Sequence, residues 1–209
     1  MKRLRYSAKR FSVVQDSDSV VEISPQACIC CAAMILTVPF RWYSAWIAAA
    51  MMHELGHCVM VAAMGKRIHR VKIGAFGANI QTEPMPPASA MLCALAGPAA
   101  GLLLILAARF APRLAVCALV LTTFNLLPVY PLDGSVALGS FLALLFSRRT
   151  AEKIRFGVEI AVLLILLLAC LSAAILWELG TVSAVFATLL LGLVVKRKIP
   201  CKYAINAVQ

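Results

Sequence analysis

The chain has 209 residues, of which 62% are hydrophobic and 14% charged, and its mean hydropathy is +0.90. That apolar share excludes an ordinary soluble domain and places the chain in a bilayer, with room for about six spans of ~20 residues and none for a separate soluble domain. The net charge of +11 comes from short basic clusters between apolar runs, a pattern that writes membrane topology and gives no reason to invoke nucleic acid.

In chain order, residues 1–23 form a polar, basic tail; Asp16, Asp18 and Glu22 separate its basic residues from the first apolar run and no small-residue site closes that run, so a cleaved signal peptide is not expected. A first apolar run spans 24–40 and ends in the interfacial group Arg41, Trp42 and Tyr43. A second covers 44–64. Between 65 and 87 the alternation Val71, Lys72, Ile73 and the glycines Gly74 and Gly77 predict a strand or hairpin. A third span covers 88–108. A fourth starts near Leu114, is broken by Pro128, Pro131 and Gly134, and resumes over 135–146. A fifth covers 156–176, a short sixth 181–195, and 196–209 is a basic tail. The expected fold is therefore an all-α polytopic membrane protein of about six transmembrane helices with a strand or hairpin region after the second. One domain, 24–195, lies between two cytoplasmic tails.

Seventeen of the 20 Lys and Arg residues fall in the N-terminal tail, 66–87, 147–155 and the C-terminal tail. Because basic residues are retained on the cytoplasmic side, both termini are expected there. The eight cysteines form no CxxC pair and sit mostly in apolar runs, as packing or lipid-facing residues. His69, beside Arg67 and Arg70, reads as part of a solvated basic face.

The chemistry lies in the second span, where His53-Glu54-Leu55-Gly56-His57 places two histidines four apart on one helical face. Imidazoles so spaced can share a zinc ion, and a glutamate beside the first can take a proton from the attacking water. Three ionisable groups within five residues of a spanning helix cost several kcal/mol unless they are used. A third protein ligand is needed, and Asp133 is the candidate, since it follows the helix break where unwound backbone can turn a carboxylate inward. His57 lies about 14 Å from the cytoplasmic end of its helix, and Asp133 falls in the same half of the bilayer.

These residues resemble the site-2 protease family of intramembrane zinc metalloproteases, and within it the stage IV sporulation proteases that process a membrane-tethered pro-sigma factor. The first family motif is matched by His53 to His57 with Ala62 and Gly65, and the second by Asn125, Pro128, Pro131, Leu132, Asp133 and Gly134. Ala96-Gly97-Pro98 with Gly101 is similar to the third-span glycine motif, and the likeness covers about 30–147. It implies one zinc held by His53, His57 and Asp133, with Glu54 as general base and Asn125 positioning substrate or stabilising the oxyanion. It further implies that 71–80 is a membrane-associated strand able to pair with an unwound substrate. The implied substrate is a membrane-tethered protein, a pro-sigma or transcription factor, with remnant signal peptides as the alternative. Membrane regulatory or inhibitory proteins would be further partners in a bacterial cytoplasmic membrane. The family pattern is not followed at Gly101, often polar in relatives, or at Ser135, often glycine, and the chain offers no segment for a PDZ or CBS domain. A different class, an ion or metal transporter, would need ionisable groups along a path, and the sequence offers one cluster.

Overall fold

The computed structural model describes residues 20–74, 77–106 and 108–176. The expected sixth span and the C-terminal tail lie outside the described residues. In order, the elements are β1 (Val20–Ile23), α1 (Pro25–Thr37), α2 (Phe40–Ala63), β2 (Ile68–Gly74), β3 (Gly77–Thr82), α3 (Pro87–Leu106), α4 (Pro112–Asn125), α5 (Asp133–Leu145) and α6 (Arg148–Leu176).

Three of the described helices, α2, α3 and α6, are long and apolar enough to cross a membrane. At 13 residues, α1 is shorter than the ~20 residues that a straight crossing needs. The expected break in the fourth run is present: α4 has 14 residues, α5 has 13, and an unwound segment, 126–132, joins them. The apolar side chains on the outside, such as Leu36, Leu103, Leu106 and Ile165, are those a bilayer would cover.

The predicted strand region is a three-stranded sheet in the order β1-β2-β3, with β2 and β3 antiparallel. The expected strand or hairpin region is thus present as a small sheet beside the helices, and it takes in Val20–Ile23 at the end of the segment read as a basic tail. Val20–Ile23 pairs parallel to β2, with Glu22 opposite Lys72, and the Glu22 carboxylate lies 3.2 Å from Arg70 and 3.6 Å from Lys72. His69 is exposed on β2, as the basic-face reading expected.

Small residues set the centre of the bundle. On α2 the buried positions are Ala49, His53, His57 and Val61, one stripe at a four-residue interval. It faces α3, whose buried residues are Ala94, Ala96, Gly97, Pro98 and Gly101. At Gly56 a Cβ would come within 2.6 Å of the Ala96 carbonyl, so the two backbones touch where a side chain would hold them apart. Ala49 then packs with Cys117 and Ala118 of α4, closing a three-helix core around the histidine stripe. Beyond it, α2 ends at Ala63 with Met64 as its C-cap, and Gly65, with φ of 66°, supplies the left-handed turn into the sheet.

Candidate metal centre

His53 and His57 project from adjacent turns of α2 into the space that Gly97 leaves open. A Cβ at Gly97 would overlap His57 Nε2 and come within 2.8 Å of His53 Nε2. Asp133 arrives from the other side as the first residue of α5. Leu132 is the N-cap and makes no side-chain cap, so the Asp133 carboxylate is turned to the histidines. Its Oδ2 lies 2.9 Å from His53 Nε2 and 3.2 Å from His57 Nε2. Gly134 permits the approach, because a Cβ there would overlap the Leu126 carbonyl.

The donor set fits a divalent cation on its own chemistry. His57 Nδ1 is 2.7 Å from the Cys93 carbonyl, which only accepts, so Nδ1 carries the hydrogen and donates. In the neutral ring, Nε2 then holds a lone pair, and it faces His53 Nε2 at 3.4 Å and the Asp133 carboxylate. Each of the two histidines and the aspartate thus offers one ligand atom, all within 4.8 Å of one another, in a largely buried site. Two imidazoles and a carboxylate with a backbone carbonyl fixing one tautomer are a zinc-type ligand set.

Glu54 sits beside this cluster without entering it. Its Oε1 accepts a hydrogen bond from the Ala78 amide at 3.0 Å, at the start of β3. Gly77, with φ of 115°, turns the chain there, and a Cβ on it would stand 3.3 Å from Glu54 Oε1. The second oxygen, Oε2, is buried and has no hydrogen-bond partner among the described residues. No residue pattern announces this support, because any residue except proline can supply a backbone amide. Asn125 ends α4, and its Nδ2 donates to the Leu121 carbonyl one turn back at 3.1 Å.

The geometry therefore defines a class: a bundle of apolar helices enclosing a two-histidine, one-aspartate centre with a carboxylate alongside. No protein-family model matches the chain. It is 32% identical over 111 residues to a provisionally named zinc metalloprotease of Synechocystis, a match covering 46% of this chain and 29% of that protein. It is 25% identical over 134 residues to a zinc metalloprotease of Methanocaldococcus jannaschii, covering 57% and 40% respectively. The chain thus spans less than half the length of either relative. Among solved structures it shares its fold with the site-2 protease from Methanocaldococcus jannaschii, with a TM-score of 0.58 and 18% identity over 83% of this chain and 86% of that one. That fold fits a polytopic membrane protein.

Proposed function

We propose that the chain is an intramembrane zinc metalloendopeptidase that cuts a membrane-tethered protein substrate. The observation that carries this reading is the convergence of His53, His57 and Asp133 beside a carboxylate anchored through one oxygen only. Zinc held by these three residues would supply a Lewis acid for the scissile carbonyl and make water a nucleophile near neutral pH.

The chain's own groups perform the rest. With Oε1 held by Ala78, Glu54 uses Oε2 to take the proton of the attacking water and then returns it to the leaving amine. Asn125 spends one Nδ2 hydrogen on Leu121 and keeps the other for a substrate carbonyl. The strand β3 is an edge of the sheet, and the Ala78 amide at that edge meets Glu54. A substrate segment unwound from its helix and added along this edge would pass the carboxylate. Unwinding is required, since a helical backbone is already bonded and shielded.

The resemblance to sporulation proteases makes a membrane-bound pro-sigma or transcription factor the first substrate class to try, in a bacterial cytoplasmic membrane with the centre toward the cytoplasm. Co-expression with such a substrate, read by gel mobility, tests the reading. Wild type cleaves, whereas Glu54→Gln loses ~10²–10⁴-fold in rate while keeping its metal. Wild-type cleavage by Glu54→Gln would overturn the role of the carboxylate.

A further inference from the structure

The metal centre has two ligands on one continuous helix and a third on the far side of a break. The histidines need no special support, because α2 fixes their spacing. Asp133 is different: its place depends on the segment 126–132, which leaves the helix after Leu126 and is joined by short turn bonds, Leu127 to Phe124, Val129 to Leu127 and Leu132 to Val129. Those turns do not tie the segment to the rest of the bundle; a side-chain hydrogen bond and an apolar contact from α6 do. Glu159 is buried, at 3% exposure, within an apolar helix, and its Oε1 accepts a hydrogen bond from the Tyr130 amide at 3.1 Å. One turn along the same face, Leu163 packs on Val129 and Leu132, on either side of that amide. Ala151, Glu159 and Leu163 are the buried residues of that stripe, and two of the three touch the segment before Asp133.

We infer that Glu159 is a positioning residue for the metal centre: its hydrogen bond to Tyr130 fixes the unwound segment so that Asp133, three residues on, reaches His53 and His57. A carboxylate in a bilayer-spanning helix is costly unless it has such work. The Leu163 contact alone would press the segment against α6 without fixing its register, since apolar contacts lack direction. The bond to an amide supplies that direction, and it needs an acceptor oxygen rather than a charge. The inference rests on the metal-centre reading, so its test contains a control for that reading.

Cobalt(II) affinity and the visible spectrum of the bound ion are measured in detergent-purified wild type, Glu159→Gln, Glu159→Met, Asp133→Ala and the double variant Glu159→Met/Asp133→Ala. Glutamine retains an acceptor, so Glu159→Gln keeps the wild-type spectrum and affinity. Methionine has similar bulk and no comparable acceptor. Glu159→Met weakens binding by about 10–100-fold, the usual cost of losing a group that orients a ligand, and shifts the spectrum toward that of Asp133→Ala. The double variant binds no more weakly than Asp133→Ala, because Glu159 acts through Asp133 and through nothing else at the site. Additive losses in the double variant, or an unchanged Glu159→Met, overturn the inference while leaving the metal centre standing. Lost binding in Glu159→Gln overturns it as well, and does so even where Glu159→Met fails to fold. Equal cobalt binding by wild type and Asp133→Ala overturns the metal centre and the inference together.

Discussion

The position of His57 relative to α3 is set by one absent methyl group. Gly97 lets the imidazole lie against the helix while Nδ1 reaches the Cys93 carbonyl one turn away, and together these aim Nε2 at His53 and Asp133. Replacing Gly97 by alanine drives Cβ into overlap with His57 Nε2. The expected outcome is a loss of zinc affinity of about 10–100-fold, checked by competition with a chelating dye, together with ~1–3 kcal/mol of overpacking seen as a lower melting temperature in detergent. At this scale the sequence was informative. His53, Glu54, His57 and Asp133 stood out because ionisable groups in apolar runs are costly, and the structure brings the two histidines and the aspartate together. Glu159 was as visible in principle. Its position, four residues after Arg155 and at the start of the apolar run 156–176, does not show which face of α6 it occupies or that this face meets Tyr130.

Among the elements, the sheet has the most direct link to the chemistry. The turn at Gly77 and the amide of Ala78 hold one oxygen of Glu54 from across the α2 boundary. On an edge strand proline is tolerated where the N–H faces outward, so Ala78→Pro removes that donor with limited damage to the β2–β3 ladder. A hydrogen bond to a charged group contributes about 1.5–3 kcal/mol, and its loss lets the carboxylate swing. The expected outcome is a cleavage rate at least about tenfold lower with zinc content unchanged. A rate equal to wild type would show that the sheet does not position Glu54. This element was only half legible. The alternation around Val71 announced β2, and the glycines announced a turn. The strand β1 escaped because four residues after a basic tail carry little pattern, and their partners in β2 lie 50 positions away, as Val20 and Arg70 show.

For the whole molecule, hydropathy located the apolar runs well, since burial in lipid needs only composition and length. It could not tell a helix that crosses from one that stops short, as α1 does, because a proline, Pro39, and the interfacial residues after it end the helix inside the run. Nor could it show how tightly the helices close, which depends on Gly56, Gly97 and Gly101 meeting particular neighbours. The assembled bundle brings Asp133 of α5 to His53 and His57 of α2, 76 residues or more away in the chain. Metal and tertiary structure should therefore be coupled. Stripping with 1,10-phenanthroline is expected to abolish cleavage and lower the melting temperature, and added zinc to restore both; a melting temperature indifferent to the chelator would argue against that coupling.

The central claim, a zinc centre built from His53, His57 and Asp133, is tested most directly by elemental analysis of the purified chain. Inductively coupled plasma mass spectrometry of wild type, His53→Ala, His57→Ala and Asp133→Ala should find about one zinc per chain in wild type, as one three-ligand site requires, and far less in each variant. Equal zinc in wild type and all three variants would contradict the claim.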